Sequence, residues 1–180
     1  MTSIIKKLGN SLTIFPLNAK GCVMSKSMLS ILSPQTPIDV IKVNVLKQSA
    51  RHSILEACGF HEKQLVATLR IVLMHVALEE SSSKLKRNEI EGEGFLITKE
   101  EVYDFSKWIQ DRNPIHLTNT PVVPGLLLLE KIQEQFREAS KIQIKYAAPI
   151  YADQMIYLKK ENSQIQVFSQ QRHCLSVNYQ

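Results

Sequence analysis

Residues 111–116, Asp-Arg-Asn-Pro-Ile-His, put a carboxylate and an imidazole five positions apart in one short polar segment. Such a pair can move protons. With an unperturbed pKa of about 6.5, an imidazole such as His116 takes or gives a proton near neutral pH. Asp111 can orient that ring and a water molecule together. Asn113 and Pro114 lie between them and suit loop-positioning, since Asp-x-Asn-Pro is good turn chemistry in its own right. Nine residues after His116 comes Gly125, the last residue of a Pro121-Val122-Val123-Pro124-Gly125 turn, and five further on stands a second carboxylate, Glu130.

These groups need rigid elements around them. Upstream, Thr98-Lys99-Glu100-Glu101 reads as a capping box, a Thr N-cap with Glu three positions later. The helix it starts carries Val102, Phe105, Trp108 and Ile109 on an apolar face, with Trp108 expected in the core, and ends near Asp111 because Pro114 cannot continue it. Downstream, Pro124 and Gly125 suit the first turn of another helix. Leu126 to Leu129 surround that turn on all sides, so the helix start has no solvent face and is expected to be buried. The alternation of Ile142, Ile144 and Tyr146 reads as a strand, as do residues 154–158, 164–170 and 173–179, with a turn at 159–163.

The N-terminal half repeats this order in outline. After an apolar segment at residues 11–17, Val23, Met24, Met28, Leu29, Ile31 and Leu32 recur mostly at three and four, which predicts a helix after Gly21. Residues 38–47 and 52–58 read as strands, with a turn at 59–63. Residues 64–78 fit a long strand or a helix, and their β-branched content favours strand. Gly21 precedes Gly125 by 104 positions, Ile41 precedes Ile144 by 103 and Ile54 precedes Ile156 by 102. That drift suggests two repeats, 1–80 and 95–180, around a polar, glycine-bearing linker at 81–94.

The 180 residues are 44% hydrophobic and 22% charged, which is ordinary for a globular chain long enough to bury a sizeable core. The net charge of +5 is uneven. Residues 1–90 hold 12 Lys/Arg and 6 Asp/Glu, whereas residues 91–180 hold 10 and 11. A basic half can attract phosphates or an acidic partner. There is no basic stripe with interleaved aromatics, so nucleic acid is not an expected partner. Cys22, Cys58 and Cys174 are too widely spaced for a metal or redox pair and read as small buried hydrophobes in a reducing, cytoplasmic setting. No metal site is expected, and His52, His61, His75 and His173 lack companions at ligand or catalytic spacing. No apolar run approaches the roughly 18 residues of a membrane span.

The segment Asp111-Arg112-Asn113-Pro114-Ile115-His116 resembles the Asp-x-Asn-Pro-x-His motif of the MaoC-like (R)-specific enoyl-CoA hydratases and dehydratases. Tyr146-Ala147-Ala148-Pro149-Ile150-Tyr151-Ala152-Asp153 resembles their later strand with Pro and Gly-Asp, Ala152 standing where glycine is usual. Gln110 likewise stands where that family usually has glycine. The spacing from His116 to Gly125, with Pro121, Pro124 and Glu130, resembles instead the β-hydroxyacyl-ACP dehydratases. Together these likenesses cover about residues 95–155. They imply an α+β hotdog fold, here a double hotdog, with an antiparallel sheet wrapped around a buried helix in each half. They imply C2–C3 proton chemistry on an acyl thioester of CoA or ACP, without a cofactor. On this reading Asp111 and His116 are the catalytic pair and the Gly125 N–H binds the thioester carbonyl, with Glu130 as the alternative partner of His116. The first half offers Lys26 and Leu12 at the positions matching Glu130 and His116, so it would be a degenerate unit. A thioesterase and a non-catalytic acyl-thioester binder are the alternatives, and the chain could act alone or as a homodimer.

Overall fold

The computed structural model describes residues 3–14, 22–75, 93–161 and 164–180. Gly21, the polar stretch 76–92 and residues 162–163 lie outside them, as does most of the apolar segment after Leu12. One antiparallel sheet of nine strands carries the chain. In chain order the elements are α1 (Ile4–Ile14), β1 (Cys22–Ile31), β2 (Val40–Gln48), β3 (His52–His61), β4 (Gln64–His75) and β5 (Glu93–Leu96). They continue with α2 (Lys99–Trp108), a 3-10 turn at Pro114–His116, α3 (Gly125–Gln135), β6 (Lys141–Tyr146), β7 (Met155–Glu161), β8 (Gln164–Ser169) and β9 (Arg172–Tyr179).

Strand order across the sheet is β2-β3-β4-β1-β6-β9-β8-β7-β5. The first four strands and β6 to β9 therefore share one connectivity, mirrored about the β1–β6 seam, where Ser27 faces Ile144 and Leu29 faces Ile142. One buried face of this sheet covers both α1 and α3. Leu29, Leu55, Leu69, Ile142, Ile144, Ile165 and Val177 line it and close on Ile5 and Leu8 of α1 and on Leu126 to Leu129 of α3. The two helices approach closely where Gly9 meets Leu126, for a Cβ at Gly9 would lie 2.9 Å from the Leu126 Cδ1. This is the hotdog arrangement: helices held in the curl of an antiparallel sheet.

Two expectations for the N-terminal half are overturned. Residues 22–31 form a strand and not a helix. Their ladder with β4 slips between Met24 and Lys26. A bulge of this kind adds one residue and breaks the alternation of two, so apolar side chains fall at spacings of three and four. The helix of this half lies earlier, at Ile4–Ile14, where Ile5, Leu8 and Leu12 are buried. The register of the proposed repeat moves with it. Ile41 lies in β2 and Ile144 in β6, which the strand order sets opposite β1, so their spacing of 103 is not that of matching elements. Residues 64–75 are a strand, as their β-branched content suggested.

Candidate active site

The end of α2 sets the first functional side chain. Thr98 and Glu101 form the expected capping box, and Val102, Phe105 and Ile109 enter the core. Trp108 does not, being 42% exposed, because it projects beside that stripe. The helix closes by a left-handed turn at Gln110, whose φ is 57°. The Gln110 N–H donates to the Lys107 carbonyl and the Asp111 N–H to the Ser106 carbonyl, which is a Schellman closure. That conformation favours glycine, and a side chain there costs about 1 kcal/mol. Gln110 bears this strain one residue before Asp111.

The loop then locks itself. The Asn113 N–H donates to Asp111 Oδ1 at 2.9 Å, and Asn113 Oδ1 accepts from the Ile115 N–H at 3.5 Å. The Asn113 side-chain amide donates to the Cys22 carbonyl at 2.9 Å, which ties the loop to β1 of the other half. Pro114 opens the 3-10 turn that brings His116 inward. The Val122 N–H donates to the Ile115 carbonyl, and Val122 bridges Tyr151, so the family-like segment 146–153 clamps the loop from behind.

Asp111 and His116 are thereby brought together. Asp111 Oδ2 lies 3.5 Å from His116 Nε2, and His116 is 6% exposed. His116 Nδ1 sits 2.7 Å from the Val122 carbonyl oxygen. A carbonyl only accepts, so Nδ1 carries the proton and donates. In the neutral ring Nε2 then presents a lone pair toward a carboxylate oxygen that is itself an acceptor. Two acceptors facing each other at that distance need a donor held beside them. A water molecule, with two O–H groups, satisfies both.

Glu130 is placed differently. It is buried on α3, accepts a short hydrogen bond from Ser3 Oγ and pairs with Lys6 Nζ at 3.4 Å. Its carboxylate is engaged by α1. Lys6 reaches it with a side chain that is 32% exposed.

Gly125 begins α3 behind an N-cap, Pro124, that offers no side-chain acceptor. Helical bonding starts with the Leu127 and Leu128 N–H groups, which donate to the Pro124 carbonyl. Among the described residues the Gly125 and Leu126 N–H groups meet no acceptor, and they stand at the positive end of the helix dipole. A Cβ at Gly125 would lie 2.9 Å from Met24 Sδ and 3.2 Å from Tyr146 Cζ, so any larger residue there would press on the side chains that β1 and β6 bring against this turn. Residues 22–31, expected as a helix, reach this site instead as strand β1, through the Met24 side chain and the Cys22 carbonyl.

Among the described residues no group of His, Cys, Asp and Glu could hold a metal ion. Cys22, Cys58 and Cys174 are buried, and burial pushes the pKa of each thiol upward. His61 pairs with Asp39, and His173 contacts Phe168 and Ser176. No helix among the described residues is long and apolar enough to cross a membrane.

No protein-family model matches this sequence, and no curated protein matches it. Solved structures do match in shape. HtdX from Mycobacterium tuberculosis superposes over 97% of this chain and 83% of its own, with a TM-score of 0.66 at 12% identity. A MaoC-like dehydratase from Phytophthora capsici covers 91% of this chain and 70% of its own, with a TM-score of 0.60 at 11% identity. An acyl-ACP thioesterase from Bacteroides thetaiotaomicron covers 88% and 76%, with a TM-score of 0.55 at 9% identity. The chain has the hotdog fold that these proteins share, and the likeness to MaoC-like structures agrees with the resemblance in residues 111–116.

Proposed function

We propose that the protein is a hydratase/dehydratase that adds water reversibly across the C2–C3 double bond of a 2-enoyl thioester of CoA or ACP. The observation that carries this reading is the pairing of His116 Nε2 with Asp111 Oδ2 at 3.5 Å, with Nδ1 committed to the Val122 carbonyl. In the hydration direction, water held by both groups gives one proton to Nε2 as its oxygen bonds to C3. The electrons of the C2–C3 bond move toward the thioester carbonyl, giving an enolate. The imidazolium then returns a proton to C2, leaving a 3-hydroxyacyl thioester and the neutral ring. Asp111 balances the transient positive charge on His116. General acid–base assistance of this kind contributes typically about 10²- to 10⁴-fold.

The enolate oxygen needs fixed donors aimed at it. The N–H groups of Gly125 and Leu126 supply them, and the leucine-lined start of α3 supplies an apolar wall for the acyl chain. Glu130, held by Ser3 and Lys6, serves the packing of α1 on α3. Asn113 and Pro114 shape the loop.

We also read the mirrored strand order as two hotdog repeats, of which the N-terminal one, residues 1–80, is degenerate and supports the site through β1. Three buried, widely spaced cysteines suit a cytoplasmic setting. Incubation with short trans-2-enoyl-CoAs tests the activity. Loss of the conjugated enoyl absorbance with no release of free thiol supports it. Thiol release from a saturated acyl-CoA would indicate a thioesterase instead, and tight binding of acyl-CoA without turnover would indicate a binding protein.

A further inference from the structure

Tyr146, the last residue of β6, is not needed by the chemistry above, yet its hydroxyl lies at the start of α3. It donates to the Gly125 carbonyl at 2.8 Å. The same oxygen lies 2.9 Å from Ser27 Oγ. Ser27 is fully buried on β1, across the seam between the halves. Since the Gly125 carbonyl can only accept, the Tyr146 proton is committed to it, and the phenol oxygen is left to accept from Ser27. The chain runs one way: Ser27 hydroxyl to Tyr146 hydroxyl to Gly125 carbonyl.

The Gly125 carbonyl and the Leu126 N–H belong to one peptide group. In a trans peptide they point in opposite directions. A donor at the carbonyl end withdraws electron density through the amide and makes the N–H at the other end a stronger donor, as in any cooperative hydrogen-bond chain. Met24 and the Tyr146 ring also close on Gly125 from the sheet side, so this peptide has little room to tilt.

We propose that Tyr146 and Ser27 are positioning residues of the thioester-carbonyl site, fixing and polarising the peptide whose Leu126 N–H donates to the substrate oxygen. The proposal rests on the reading of the α3 start as that site. Tyr146 remains a donor at any working pH, because burial pushes its hydroxyl above the ordinary tyrosine range even though the Ser27 hydrogen bond pulls it partly back. The pairing also gives the N-terminal half a part in the chemistry, since Ser27 comes from β1.

Vibrational spectroscopy of a bound acyl-CoA labelled with ¹³C at its thioester carbonyl tests this without needing turnover, alongside steady-state hydration by wild type, Tyr146→Phe and Ser27→Ala. In wild type the carbonyl stretch should move to lower frequency on binding. In Tyr146→Phe it should move back toward its free position, and kcat should fall about 5- to 20-fold, less than for loss of a whole oxyanion donor. KM should stay within about twofold, as for an interaction made mainly in the transition state. Ser27→Ala, which keeps the Tyr146–Gly125 bond, should give a smaller change in the same direction and carries the test if Tyr146→Phe does not fold. A wild-type shift that both variants reproduce, with unchanged kcat, would overturn the positioning role and leave the carbonyl site standing. Absence of any shift in wild type would overturn both.

Discussion

Replacing Glu130 with Gln separates the two partners that His116 could have had. Glu130 is 4% exposed, accepts from Ser3 Oγ and lies 3.4 Å from Lys6 Nζ. Gln keeps the volume and one oxygen acceptor for Ser3 but removes the charge. Breaking a fully buried pair by removing one partner costs about 3–5 kcal/mol, because the other charge is stranded. Lys6 is not stranded here: its side chain is 32% exposed and can turn to water. The loss should be nearer that of one charge-assisted hydrogen bond, about 1.5–3 kcal/mol. For a chain of this size each kcal/mol moves Tm by about 2–4 °C, so thermal unfolding should fall by about 3–12 °C. A Lys6→Met partner variant should show coupling with Glu130→Gln in a double-mutant cycle. Hydration activity measured well below the new Tm should stay within about twofold of wild type, since acid–base roles are worth at least about 10²-fold. A folded Glu130→Gln protein that has lost hundredfold or more in kcat would refute the assignment of Glu130 to packing and restore it as the partner of His116.

Further outcomes follow from the same contacts. Gln110→Gly should stabilise the protein by about 0.5–1 kcal/mol, the relief of left-handed strain less the backbone entropy of glycine; denaturant midpoints check it, and a loss of stability would show that Gln110 is held by something other than the Schellman turn. Asn113→Ala removes the bonds to Ile115 and to the Cys22 carbonyl. It should lower kcat about tenfold or more by loosening the Asp111–His116 geometry, an effect of the kind misplacement produces, with a modest fall in Tm; unchanged kinetics would exclude a positioning role for Asn113. Glu101→Gln should shift stability in a pH-dependent way. The Lys131 hydrogen bond holds the Glu101 carboxyl below its usual range, even though burial raises it. A lowered carboxyl gives stability that is present above its unfolded pKa of about 4.3 and is lost as pH falls through the folded value. The Tm gap between wild type and Glu101→Gln should therefore be full at pH 7 and shrink below about pH 4.3; a gap that stays constant with pH would contradict the sign.

The C-terminal half was legible in the sequence because its local signals agree with its tertiary contacts. Thr98 and Glu101 make the box their spacing promised, and the four leucines after Gly125 are buried as a helix start without a polar face must be. The Asp111–His116 approach was readable from type and spacing, since both sit in one self-bonded loop. The N-terminal half was harder for physical reasons. The bulge at Met24–Lys26 gave β1 a false helical period. Helix α1 was hidden because Gly9 and Asn10 are weak helix formers and the adjacent Lys6 and Lys7 interrupt its apolar stripe. Its apolar set, Ile5, Leu8 and Leu12, was nonetheless on a helical spacing. Glu130 could not be placed from sequence, because Ser3 is 127 positions away from it. Gln110 could have been anticipated more fully: a residue that replaces a usual glycine immediately before Asp111 sits where the turn needs a positive φ.

The most direct measurement is the rate of trans-2-enoyl-CoA hydration by wild type, Asp111→Asn and His116→Ala under identical conditions. Asn at 111 can still accept from the Asn113 N–H, as Asp111 Oδ1 does, so the loop should keep its shape while the charge facing Nε2 disappears. With the dyad doing the proton chemistry, wild type turns over and both variants fall about 10²- to 10⁴-fold while remaining folded. Equal rates in all three proteins would contradict a catalytic Asp111–His116 pair.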